Sequence, residues 1–120
     1  MPTILLIEDQ KETIALVKAI MGMQRIDIIA VERAQDGLDR MRENPPDMVL
    51  MDLLLPEMDG FTAIKIIKTD DTLKHIPVIA ITAASIGNVH EQLRDVGADA
   101  FVAKPFQIPD LVNVVKSFLH

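Results

Sequence analysis

The chain of 120 residues has no cysteine, tryptophan or tyrosine and only four phenylalanines. Without cysteine, disulfides, thiolate metal sites and cysteine nucleophiles are excluded. The chain has 12 basic and 18 acidic residues, which gives a net charge of −6. An acidic chain with few aromatics for base stacking is a poor direct binder of nucleic acid or of an anionic membrane surface. We therefore expect neither nucleic acid nor membrane as a direct partner.

The sequence also lacks a targeting or membrane-spanning segment. No basic residues precede the N-terminal apolar run, and Glu8 and Asp9 end it, which is unlike a signal peptide. The longest stretch without Asp, Glu, Lys or Arg runs from His75 to His90 and contains proline and several polar residues, so it predicts no membrane span. The hydrophobic fraction of 49% is enough for one core. We therefore predict that residues 1–120 form a single cytoplasmic domain.

Five short runs rich in Ile, Val and Leu recur along the chain, each too short for a stable helix. Such continuous apolar runs are typical of strands covered on both faces in a parallel sheet. The runs are Thr3–Ile7, Asp27–Val31, Met48–Asp52, Val78–Thr82 and Ala100–Ala103. Segments with helical spacing follow each run. Asp36 is the predicted N-cap of the second helix, and Gly97 is the predicted left-handed C-terminal residue of the fourth.

This alternation predicts an α/β fold, a doubly wound five-stranded parallel sheet with helices on both faces. The common solution at this size is the flavodoxin-like (βα)5 arrangement with strand order 2-1-3-4-5. Ligands of such sheets bind at the carboxyl ends of the strands, near the switch point between strands 1 and 3. Functional residues are therefore expected immediately after strands.

Chemically versatile side chains do follow the predicted strands. Glu8 and Asp9 follow the first, Asp52 ends the third, Thr82 ends the fourth and Lys104 follows the fifth. Two like charges about 4 Å apart cost roughly 4 kcal/mol at an effective dielectric near 20, a large part of the about 5–15 kcal/mol of a domain's stability. Lys104 can offset one charge, and an all-oxygen site of this kind favours Mg²⁺ or Mn²⁺ for the rest.

A carboxylate, a hard cation, a lysine and a hydroxyl together favour phosphoryl transfer. An aspartate can act as nucleophile and form an aspartyl-phosphate. A cation and an ammonium group would neutralise the oxygens of the transferring group, where charge spreads in the transition state. We therefore predict phosphoryl transfer onto a carboxylate at this edge of the sheet.

The same positions carry a family resemblance. Its motifs are Glu8-Asp9, the stretch MDLLLPEMDG from Met51 to Gly60, Thr82-Ala83, and the stretch FVAKPF from Phe101 to Phe106. In this order and spacing the chain resembles, over essentially its whole length, the receiver domain of two-component response regulators. No one motif is decisive, but their combination is highly specific.

The resemblance implies a role for each matching residue. Asp52 would take a phosphoryl group from a histidine kinase or histidine phosphotransferase. Mg²⁺, or Mn²⁺, would be held by Glu8, Asp9, Asp52 and the backbone carbonyl of Leu54. The residues expected to contact phosphate or to switch are Thr82, Ala83, Lys104 and Phe101, and the expected structural residues are Gly60 and Pro105, the latter after a cis peptide bond.

The resemblance also implies how the signal leaves the domain. Helix 4, strand 5 and helix 5 would form the surface read by a downstream protein target. The chain would catalyse only its own phosphorylation and dephosphorylation, and would not turn over external substrates. It would be either a stand-alone regulator or a receiver excised from a larger protein.

Two other functions are compatible with the fold. A haloacid-dehalogenase-like phosphatase also uses a strand-end aspartate with Mg²⁺, but that family needs a second aspartate two residues later, where this chain has Leu54. A flavin-binding electron carrier would need a hydroxyl- and glycine-rich phosphate cradle after strand 1. The acidic Glu8 and Asp9 there would repel phosphate.

Overall fold

The computed structural model describes residues 1–55, 58–82 and 89–119. Within these ranges five strands alternate with five helices. The strands are β1 (Thr3–Ile7), β2 (Asp27–Val31), β3 (Met48–Asp52), β4 (Val78–Thr82) and β5 (Ala100–Ala103). The helices are α1 (Lys11–Met23), α2 (Ala34–Glu43), α3 (Gly60–Thr69), α4 (Val89–Val96) and α5 (Ile108–Phe118). All five strand predictions are confirmed at both ends.

The strands form one parallel sheet in the order β2-β1-β3-β4-β5, as predicted. In the register, Ile7 pairs with Val31 on one side and with Met51 on the other. Thr82 of β4 pairs with Ala103 of β5. The carboxyl ends of β1, β3, β4 and β5 therefore meet along one edge of the sheet.

Two apolar layers cover the sheet because successive strand side chains point to opposite faces. Leu5, Ile7 and Met51 belong to the layer packed under α2, α3 and α4. Leu6 and Leu50, their neighbours along the chain, belong to the layer under α1 and α5. With both faces buried, the continuous apolar runs of the sequence are accounted for. In the described parts of the chain, no helix is long and apolar enough to cross a membrane.

The helix ends give one correction and one confirmation. The predicted N-cap Asp36 is wrong, because α2 begins at Ala34 and the first helical bond runs from the Gly37 N–H to the Arg33 carbonyl (3.1 Å). Asp36 lies inside the first turn, where its charge is still favourable. Gly97 has a φ of +89° and follows α4, as predicted.

Candidate functional site

The ends of β1 and β3 bring three carboxylates together. Ile7 and Met51 are paired in the sheet, so Glu8 and Asp52, the residues after them, lie side by side. One carboxylate oxygen from each of Glu8, Asp9 and Asp52 lies within 4.8 Å of the others. Glu8 is fully buried, Asp52 is 4% exposed and Asp9 is half-buried. We call these three residues the acidic cluster.

Lys104 reaches this cluster from the end of β5. Its ammonium Nζ lies 2.8 Å from Glu8 Oε1 and 3.3 Å from Asp52 Oδ2. Its backbone N–H donates to the Thr82 carbonyl at 2.7 Å, which ties the residue to the end of β4. Burial alone would lower the pKa of Lys104, but its bonds to the two carboxylates and their charges raise that pKa above its ordinary value. Lys104 is therefore cationic at neutral pH.

The single ammonium does not satisfy the cluster. Burial, and then the neighbouring Asp52, raise the pKa of Glu8 to about 7, although Lys104 acts in the opposite direction. Glu8 Oε2 is buried and has no hydrogen-bond partner within the described ranges. An unpartnered buried carboxylate oxygen is costly, and a bound cation would give it a partner. The oxygen-only donor set fits Mg²⁺ or Mn²⁺.

The backbone after β3 holds the Asp52 side chain. The Leu54 N–H donates to Asp52 Oδ1 at 3.0 Å, while Oδ2 faces Lys104. Each carboxylate oxygen therefore has a donor of its own. Sequence reasoning missed this bond, since it named only the carbonyl of Leu54, whose part in metal binding stays a prediction.

Gly60 lets α3 begin directly against the backbone that follows Asp52. A Cβ at this position would lie 2.6 Å from Leu53 Cα and 3.0 Å from the Asp52 carbonyl oxygen. The Gly60 N–H also donates to the Leu53 carbonyl at 3.0 Å. Asp59, which precedes it, caps the helix by accepting from the Thr62 N–H at 2.9 Å. A larger residue at this position would therefore force the backbone after Asp52 or the start of α3 to shift.

The other expected site residues lie farther along the same edge or beside it. Thr82 is 6% exposed at the end of β4. Phe101 lies on the outer strand β5 and is 38% exposed. The Lys104–Pro105 peptide bond is cis. Ala83 lies outside the described residues.

An apolar groove next to the cluster was also missed from the sequence. It has a volume of about 420 Å³ and is lined by Thr13, Leu16, Lys104, Pro105 and Phe106. Leu16 is 46% exposed on α1. An apolar residue outside the buried face of this helix is the feature of the sequence that could have indicated the groove. Lys104 lines the groove and contacts the cluster as well.

The doubly wound sheet, with an acidic cluster and a lysine at its carboxyl edge, places the chain in the class of flavodoxin-like α/β domains. The response regulator receiver domain family matches residues 4–116, and the chain belongs to this family. It is thus a receiver domain of two-component signalling, and such domains interact with histidine kinases and downstream targets.

Curated relatives and solved structures agree with this assignment. The polar-differentiation response regulator DivK of Brucella anthropi is 34% identical over 117 residues, which is 98% of this chain and 95% of the relative. The signal receiver domain of a histidine kinase from Syntrophus aciditrophicus superposes with a TM-score of 0.92 at 28% identity, covering 99% and 90% of the two chains. The receiver domain of a Pseudomonas aeruginosa sensor histidine kinase, solved with magnesium in its active-site cleft, gives 0.89 at 25% identity, covering 98% and 96%.

Proposed function

We propose that Asp52 accepts a phosphoryl group from the phosphohistidine of a histidine kinase or histidine phosphotransferase in a Mg²⁺-dependent reaction. The observation that carries the proposal is the placement of Lys104, whose ammonium lies within 3.3 Å of both Asp52 and Glu8. An ammonium held at the nucleophile can neutralise an oxygen of the transferring group. The membership in the receiver family and the acidic cluster support the same reaction.

The metal is assigned to the cluster by its chemistry. Glu8, Asp9, Asp52 and the Leu54 carbonyl would hold Mg²⁺, with Mn²⁺ as an alternative ion. When bound, the cation supplies positive charge at the phosphoryl oxygens. The unpartnered Glu8 Oε2 and the raised Glu8 pKa support this assignment, because both describe a cluster with too little positive charge nearby.

The residues of the chain then perform the transfer. A carboxylate oxygen of Asp52 forms a bond to phosphorus, and the bond from phosphorus to the donor imidazole nitrogen breaks, leaving its electron pair on the nitrogen. The Leu54 N–H fixes the carboxylate in orientation. Lys104 faces Asp52 before the reaction and pairs with the phosphoryl oxygens after it, so it needs no large movement. The same site, with water as acceptor, returns Asp52 to the free carboxylate.

In this proposal the signal passes from Asp52 to the surface formed by α4, β5 and α5. Phosphorylation adds negative charge and acceptor oxygens near Asp52, which the Thr82 hydroxyl and the backbone at Ala83 would meet. The Phe101 side chain would then turn toward Thr82. This change would alter the affinity of the surface of α4, β5 and α5 for a downstream protein target. The proposal includes a single domain acting in the cytoplasm, either alone or as part of a larger protein.

The groove beside Lys104 suits the approach of the phosphodonor protein. Its wall includes the exposed Leu16 and also Lys104, whose ammonium group contacts Asp52. A donor that presents an imidazole to Asp52 must cover this side of the site, and apolar contact there would hold it. The chain's helix α1 would thus form part of the donor interface.

Labelling with acetyl phosphate tests the function. We expect one acid-stable, base-labile phosphoryl group per chain, dependent on Mg²⁺ and absent in Asp52→Asn. Asp47→Asn, at an exposed position outside the acidic cluster, serves as the matched control and should label normally. Unchanged labelling of the Asp52→Asn variant would exclude Asp52 as the acceptor.

A further inference from the structure

The side chains of His90 and Phe101 form a ring contact between α4 and β5. Their ring centroids lie 4.3 Å apart with the planes tilted by 44°. Aromatic pairs in proteins usually have centroids about 4.5–7 Å apart, so these rings touch directly. Neither residue stands out in the periodicity of its own element, so this contact could not be predicted from the pattern of residues.

The contact involves Phe101, a side chain that is not held in place by burial in the core. Phe101 is 38% exposed, although a phenyl ring gains free energy from leaving water. Phe101 pairs with Ala80, and Thr82 follows two residues later on β4. Strand alternation therefore places Phe101 and Thr82 on the same face of the sheet. The imidazole of His90 partly covers the ring in its outward position.

We propose that His90 is a positioning residue that holds Phe101 in this outward position and so opposes the phosphorylated state. The inference rests on the proposed function, in which Phe101 turns toward Thr82 after phosphorylation. That turn takes the phenyl ring off His90, so the ring contact exists in one state only. A contact made in only one of two states biases their equilibrium by its own free energy.

The size of the bias follows from the contact. Aromatic pairs contribute enough to change an equilibrium constant by about two- to tenfold. Because both rings are partly in water, we expect a change near the lower end of this range, about threefold. Removal of the imidazole should make the phosphorylated form easier to reach by that factor.

The ring contact itself is tested by NMR on protein with labelled phenylalanine. The chain has only four phenylalanines, so their ring signals can be resolved. In metal-free protein, His90→Ala should shift the Phe101 ring signals. Gln92→Ala, an exposed substitution two residues later on α4, should leave them in place. Phe101 signals that are the same in wild type and His90→Ala would overturn the inference.

The bias is tested by titrating beryllofluoride, a phosphoryl mimic, in the presence of Mg²⁺. The midpoint should fall about threefold in His90→Ala, stay at the wild-type value in Gln92→Ala, and return toward wild type in His90→Phe, which restores a ring. Equal midpoints for wild type and His90→Ala would overturn the inference while the proposed function stands. A wild-type protein that binds no beryllofluoride, like Asp52→Asn, would overturn the proposed function, and this inference with it.

Discussion

Replacing Glu8 by glutamine should stabilise the metal-free protein at alkaline pH while weakening its binding of divalent cations. Glu8 is fully buried beside Asp52, and its pKa is raised from 4.5 to about 7. The folded state therefore keeps a proton on Glu8 that the unfolded chain has released. Stability from this proton is fully present below pH 4.5 and is lost as the pH rises through about 7.

The magnitude follows from the size of the pKa change. At about 1.4 kcal/mol for each pKa unit, the loss approaches about 3 kcal/mol above pH 8. Glutamine carries no charge, so the Glu8→Gln variant avoids this loss and leaves Lys104 to pair with Asp52. With a denaturant slope of about 1–3 kcal/mol per molar for urea, its unfolding midpoint at pH 8 should rise by about 1–3 M.

Urea unfolding should be followed by far-ultraviolet circular dichroism in the presence of chelator, because the chain has no tryptophan or tyrosine. Glu32→Gln, at an exposed position, is the control and should leave the midpoint unchanged. At pH 4 the difference between wild type and Glu8→Gln should largely disappear. A Glu8→Gln variant less stable than wild type at pH 8 would show that the buried Glu8 carboxylate does not destabilise the metal-free fold.

Three further predictions concern other parts of the molecule. Gly60→Ala should destabilise the protein by about 1–3 kcal/mol in urea unfolding and slow phosphorylation, because the added Cβ would meet the Leu53 backbone. A phosphorylation rate equal to that of wild type would contradict this prediction. Bonds from the Thr72 hydroxyl and backbone N–H hold the pKa of Asp70 below its ordinary value, so Thr72→Ala should raise that pKa in an NMR titration, and an unchanged pKa would refute it. Leu16→Lys should slow phosphotransfer from a donor protein but leave acetyl phosphate labelling unchanged; equal slowing of both would count against the donor groove.

The central strands β1, β3 and β4 were predictable because nearly all of their residues are buried on both faces, and the less buried edge strands β2 and β5 carry similar apolar runs. A parallel sheet covered by helices requires continuous apolar runs, and each run ends where the chain reaches the edge of the sheet. The start of α2 was not predictable in this way. Arg33, which precedes that helix, is extended and makes no side-chain capping bond, so no residue type marks the boundary.

The site was predictable where side chains carry the chemistry and not where the backbone or a distant contact does. The sequence placed Glu8, Asp52 and Lys104 at strand ends, and topology brings them together. The bond from the Leu54 N–H to Asp52 involves a backbone group that every residue but proline has, so residue type does not signal it. Lys68 on α3 reaches Asp99, just before β5, at 2.7 Å, an ion pair between residues distant in sequence that only the fold reveals.

The most direct test of the central claim is a Mg²⁺ titration of uniformly labelled protein followed by NMR. We expect one saturable site, with the largest shifts at Glu8, Asp9 and Asp52 and with binding greatly weakened by Asp9→Asn. A titration that moves signals elsewhere, or leaves these three residues unmoved at saturation, would contradict the claim that the acidic cluster binds the cation and prepares Asp52 for phosphorylation.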